Sequence, residues 1–214
     1  MVMSANNSSR TNRLIRRVSS KDGQAPEELF ALHHERLRKM IHFRLDRRLR
    51  GKVRSAEILQ EVYREACRHI DKYLADAEEP FFLWLRRLTG ERIQALHRER
   101  LGSQADGAGQ ELALYCGALP EANSVSLAAQ LLGNRAVNQS AVRAQLLLRL
   151  QDALNSMAAV DREILSMCHF EELRDEEVAL VLGIDKGAAA IQYIRALKQL
   201  REILKNIPGF FDQL

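Results

Sequence analysis

Apolar residues recur three and four positions apart along both halves of this 214-residue chain, and nowhere do they alternate long enough to make a convincing strand. That periodicity leaves helices as the building elements. Helices of this kind must bury their apolar stripes against one another, and a hydrophobic content of 46% is enough to give one or two ordinary domains a core.

Three stripes stand in the first half. Pro26 suits a first helical position, and Phe30, His34, Leu37, Ile41, Leu45 and Leu49 then fall on one face. Ser55 is placed to cap a second helix striped by Leu59, Val62, Ala66, Ile70 and Tyr73. Pro80 opens a third, with Phe81, Trp84, Leu85, Leu88 and Leu96 inward and Arg86, Arg87, Arg92, Arg98 and Arg100 on its other positions. Together they predict one small bundle.

The chain then changes character. Between Leu101 and Asn134 it has no Lys or Arg, only three acids, and glycines at 102, 107, 109, 117 and 133. Such a stretch predicts a linker, although 111–116 and 127–132 are apolar enough to form short docking helices. Beyond it, Ser140 is placed to cap a helix striped by Leu147, Leu150, Leu154 and Met157, and a shorter helix runs from Asp161 to His169. The fold class expected is therefore all-α, with two small helical domains joined by a linker.

Charge placement says more than the net +4. Arg10, Arg13, Arg16 and Arg17 stand in the first twenty residues without an acid, and nine basic residues crowd the run from Glu35 to Arg54. Such blocks suit a polyanion, because each neutralised phosphate releases counterions, or else they are solvated helix faces. The three cysteines are far apart and lack C-x-x-C spacing, so they read as reduced small hydrophobes. No leader-like segment or run of about eighteen apolar residues occurs, and the chain reads as soluble and cytoplasmic, without membrane insertion. H-E-x-x-H, P-loop and G-x-S-x-G patterns are absent and the histidines do not form a metal set. No catalytic residue, metal or cofactor is expected, with His33 and His34 read as helix surface and core.

The stretch EEVALVLGIDKGAAAIQYIRALKQL, residues 176–200, has the pattern of a helix-turn-helix. Val178, Ala179 and Leu182 line the first helix, Gly183 permits a tight turn, and Ile194, Leu197 and Leu200 are expected to continue the core. A second helix that must enter a major groove needs unobtrusive leading residues, and this one begins Lys186-Gly187-Ala188-Ala189-Ala190. An ordinary helical hairpin is the alternative.

Two separated stretches resemble one family, the extracytoplasmic-function sigma factors of bacterial RNA polymerase. LNSMAAVDREILSMCHFEELRDEEVALVLGID followed by IRALKQLREIL is similar to that family's DNA-binding region 4. AEILQEVYREACRHIDKY resembles its polymerase-binding segment, and FLWLRRLTGERIQALHRER the segment that follows. The resemblance implies a basic tail over 1–25, a region 2-like domain over 26–101, a linker over 102–139, a region 4-like domain over 140–207, and a carboxy-terminal tail over 208–214.

It also implies roles. Glu57, Gln60 and Glu61 match the positions that dock on the polymerase clamp. Arg86, Arg87, Arg92, His97, Arg98 and Arg100 are the candidates for minus-ten DNA, and the acidic loop 76–79 lies where the family places base-reading residues. Glu91 and Ala95 replace the family's usual Asn and Asp. Lys186, Ala188, Gln192, Arg195 and Lys198 are the candidates for minus-thirty-five DNA, with Gln192 able to pair bidentately with adenine. The function implied is a sigma factor that binds core RNA polymerase and promoter DNA and promotes initiation, with an anti-sigma factor as a possible partner. The alternative is a stand-alone helix-turn-helix regulator.

Overall fold

The computed structural model describes residues 2–102, 124, 127, 128 and 140–207, and no strand occurs among them. It is all-α, and the chain divides into two compact units, 1–120 and 121–214. The expected linker helix 111–116 and the tail 208–214 lie outside the described residues. Of the second expected linker helix, Leu127 and Ala128 are helical and buried.

Among the described residues the first unit has four helices where the sequence predicts three. Helix α1 (Val2–Ser19) occupies the stretch expected to be a tail, and α2 (Ala25–Arg44), α3 (Ser55–Ala75) and α4 (Phe81–Leu101) follow. Tertiary contacts hold α1 on α2. Leu14 is buried, the Thr11 hydroxyl and His33 Nε2 share a hydrogen bond of 3.1 Å, and the Arg17 fork grips Glu28 at 2.8 and 3.0 Å while its Nε donates to Asp22. Glu27 and Glu28 in the first turn of α2 favour the positive end of its dipole.

Along α2 the buried stripe is Leu29, His33, Leu37, Met40 and Ile41, one position off the expected Phe30 and His34. Leu45 and Leu49 are buried as expected but lie past the helix end, Leu49 in a 3-10 turn (Arg47–Leu49). Helix α3 buries Leu59, Val62, Ala66 and Tyr73, with Ile70 half-buried. Its N-cap is Arg54, with no side-chain cap, so Ser55 is the first helical residue instead of the cap. Helix α4 stops at Gly102, whose φ of 75° is open to glycine at little cost.

The second unit holds α5 (Ser140–Asn155), α6 (Ala159–His169), α7 (Asp175–Leu182) and α8 (Lys186–Lys205). Leu150, Leu154, Met157, Ile164, Met167, Val178, Ala196 and Leu200 form its core. Leu146 is buried where Leu147 was expected to be, and Ile194, expected in the core, is 51% exposed.

Candidate nucleic-acid interface

On α3, Glu57 stands exposed in the first turn, 2.7 Å from Arg54, whose guanidinium holds the carboxyl below the usual carboxylate range. Gln60, one turn on, is exposed and lines a shallow, mostly apolar groove of about 460 Å³ with Phe30, Ala31, His34, Leu59 and Tyr63. The rings of Phe30 and Tyr63 lie 5.1 Å apart there. That groove explains the shifted stripe of α2: Phe30 and His34 edge a surface, while Leu29 and His33 enter the core. Glu61 points elsewhere, accepting a hydrogen bond from Arg92 of α4.

Helix α4 sorts its six candidates into three pairs. Arg86 and His97 are buried, at 3% and 8% exposure, which corrects their reading as DNA contacts: neither side chain reaches the surface. His97 Nε2 instead accepts from the Asp46 backbone N–H at 3.1 Å, tying α4 to the start of the 3-10 turn. Arg87 and Arg92 are ion-paired, the first with Glu79 and Glu91, the second with Glu61 and Glu99. Arg98 and Arg100 are exposed.

The aromatic residues at the start of α4 are core, as expected. Phe81, Phe82 and Trp84 are each at most 5% exposed, and Trp84 stacks on Tyr73 with centroids 4.7 Å apart. Beside them the acidic loop is anchored at its end. The Tyr73 hydroxyl donates to the Glu79 carbonyl at 3.0 Å, and Arg87 bonds the Glu79 side chain. A cleft of about 360 Å³ lies here, rimmed by His69, Asp76, Glu78, Trp84, Arg87 and Glu91 among others. Burial, with the Glu79 charge adding, pushes the Tyr73 phenol up to about 12, so it stays a donor at neutral pH.

The basic run from Glu35 to Arg54, along α2 and the 3-10 turn after it, is also largely satisfied within the unit. Arg44 is buried, Arg36 lies 3.4 Å over the Phe82 ring, Arg38 pairs with Glu35, Arg48 with Asp46, and Arg50 donates to the His42 carbonyl. Arg47 and Lys52 are exposed.

In the second unit the turn has the geometry its residues predict. Gly183 closes α7 in the left-handed region (φ 65°, ψ 31°), and the Asp185 carboxylate caps α8 by accepting from the Ala188 N–H at 2.9 Å. Lys186 pairs across the turn with Glu176 at 2.6 Å, which lowers the Glu176 carboxyl and raises the Lys186 ammonium. Helix α8 buries Ala189, Ala196 and Leu200. Arg195 and Lys198 are exposed, Ala188 and Gln192 half-buried, and the Tyr193 hydroxyl and His169 Nε2 share a bond of 3.0 Å. The residue that sequence reasoning missed is Ile191, 70% exposed. Its signal was available in the spacing of Ala189, Ala196 and Leu200, which puts Ile191 on the opposite side.

A short acidic helix, a left-handed glycine and a capped second helix with an open face make a helix-turn-helix. Residues 147–200, about a quarter of the chain, match the family model described as Sigma-70, region 4, and they lie within the second unit. Over most of its length the chain is similar in fold to the solved structure described as CnrH in complex with the cytosolic domain of CnrY. The identity is 19%, 90% of this chain and 95% of that one are covered, and the TM-score is 0.51. No curated protein matches the chain in sequence. The region 4 match agrees with the resemblance of that stretch to sigma factors, and the likeness to CnrH shows a shared fold. No helix among the described residues is long and apolar enough to cross a membrane.

Proposed function

We propose that this chain is a sigma factor of the extracytoplasmic-function type, which binds core RNA polymerase, recognises promoter DNA through both units and promotes initiation without covalent chemistry of its own. The observation that carries this reading is the match of the helix-turn-helix to region 4, within a chain whose fold is similar to that of CnrH over 90% of its length. Such a protein works in the cytoplasm, where polymerase and DNA are.

Polymerase docking falls to α3. Glu57 and Gln60 are exposed, and the apolar groove beside Gln60 offers a hydrophobic centre with a polar rim. Glu61 is already paired with Arg92 and contributes through that pair. DNA contacts fall to Arg98 and Arg100 in the first unit and to α8 in the second, where Arg195 and Lys198 suit phosphates. A further partner is an anti-sigma factor: CnrH, to which this chain is similar in fold, was solved with the cytosolic domain of CnrY.

Reconstitution tests the reading. Mixed with bacterial core polymerase, the chain should form a holoenzyme that initiates from a specific promoter, and the double variant Glu57→Arg, Gln60→Ala should fail to assemble while keeping its helix content. Alone it should bind DNA weakly and with strong salt dependence, since readout is divided between two small modules. Tight, salt-resistant binding to one duplex without polymerase would instead make it a stand-alone regulator.

A further inference from the structure

Gln192 would read a base through hydrogen bonds, yet the outward face of α8 is apolar. Successive residues of an α-helix turn by about 100°, so with Ala189 as reference Ala196 and Leu200 fall within about 20° of the same direction. These three residues are buried and define the core side. On that wheel Gln192 lies only about 60° from the core direction, in keeping with its half-buried state. Gly187, Ile191, Ile194 and Lys198 lie about 140–200° away, facing outward. Gly187 has no side chain, so Ile191 is the first side chain to stand out on this face.

Exposed isoleucines are ordinary when scattered. Here two of the four large exposed apolar side chains among the described residues share one helix face, Ile191 at 70% and Ile194 at 51%. At i and i+3 they are neighbours, flanked by Arg195, Lys198 and Arg201. An apolar ridge with cations along its sides suits a groove whose walls are phosphates and whose floor is base edges. The leading surface is also kept low: a Cβ on Gly187 would meet Asp185 Oδ1 at 3.1 Å and press on the cap, and Ala188 and Ala190 carry only methyls.

We propose that α8 reads the upstream promoter element through Ile191, which packs against the 5-methyl group of a thymine, with Ile194 extending the apolar contact and Arg195 and Lys198 holding phosphates. An isoleucine has no donor or acceptor, and the apolar group on the major-groove edges of the four bases is the thymine methyl. The specificity is therefore for methyl groups. This rests on the sigma-factor reading above, and the experiment separates the two.

A library of upstream elements, transcribed by core polymerase reconstituted with the full chain, identifies the preferred element. That element is resynthesised with deoxyuridine for each thymine, which removes the methyl and keeps the pairing. For the wild type, one or two positions should lose about fourfold in initiation rate, equivalent to ~0.8 kcal/mol for one buried methyl. Ile191→Ala should transcribe thymine and deoxyuridine templates equally at those positions, and Gln192→Ala should keep the wild-type discrimination.

A preferred element without thymine, or equal wild-type rates on every deoxyuridine template, would overturn the proposal while leaving the sigma-factor reading in place. So would an Ile191→Asp variant that loses affinity for core polymerase in the absence of DNA, since the ridge would then be a protein contact. Failure of the wild type to direct any polymerase-dependent initiation would remove the underlying reading and the proposal with it.

Discussion

Helices α4 and α8 are both about twenty residues long, both basic in sequence, and both candidates for DNA, yet they offer opposite surfaces. The first six residues of α4, Phe81–Arg86, are all buried, because α2 and α3 pack on it, and its cations are buried or paired until the last turn. Helix α8 buries three residues and leaves the others half-buried or exposed. A count of basic residues measures what a helix carries; burial and pairing decide what it presents.

The contrast is broken most directly at Arg86. If it is a core residue, Arg86→Ala should cost about 2–5 kcal/mol in urea unfolding of the first unit, the range for truncating a long buried side chain. Arg98→Ala with Arg100→Ala should leave that transition within ~0.5 kcal/mol while lowering the salt slope of DNA binding by about two. An unchanged midpoint for Arg86→Ala would put it back among the DNA candidates. His97→Ala comes next. Losing the acceptor of the part-buried Asp46 N–H should cost about 1–3 kcal/mol, and an unchanged unfolding midpoint would mean that this bond does not hold α4 to the 3-10 turn.

The third test uses pH. Burial, with the Arg36 charge adding, pushes the His33 imidazole down to about 3, so between pH 6.5 and 3 the unfolded chain binds a proton that the folded one does not. Stability of the first unit should therefore fall as the pH drops below 6.5, with a slope approaching ~1.4 kcal/mol per pH unit. The His33→Phe variant should lose that component between pH 6.5 and 5, above the range of the carboxylates. Identical pH profiles would mean that His33 is solvated. The smallest expected effect is the tie between α3 and α4: a double-mutant cycle on Glu61 and Arg92 should give a coupling of about 0.2–1 kcal/mol, and zero coupling would leave Glu99 as the partner that holds Arg92.

The parts legible in sequence are those set by local chemistry. Gly183 and Asp185 announce the turn and the start of α8, and Pro80 the start of α4, because backbone freedom and capping act over a few residues. The parts that were not legible depend on neighbours. Two adjacent stripes ran down α2, Leu29 with His33 and Phe30 with His34, and the packing of α1, α3 and α4 on it selects between them. Helix α1 itself is polar and acid-free, and it is secured by Leu14, by the Thr11 hydrogen bond and by the Arg17 fork, none of which its own periodicity reveals. In the same way Arg86 and Arg98 are alike in sequence and are told apart only by what α2 and α3 cover.

The fork of Arg17 has one more consequence, visible if the backbone is cut. Lys21 sits exposed in the turn after α1 with φ 60°, a natural site for a protease such as trypsin. Cleavage there would sever the peptide bond but leave the grip of Arg17 on Asp22 and Glu28, together with Leu14 and the Thr11–His33 bond, intact. The two fragments would migrate as one species in native buffer and separate only on denaturation, so the covalent link between α1 and the rest of its bundle is the more dispensable of the two.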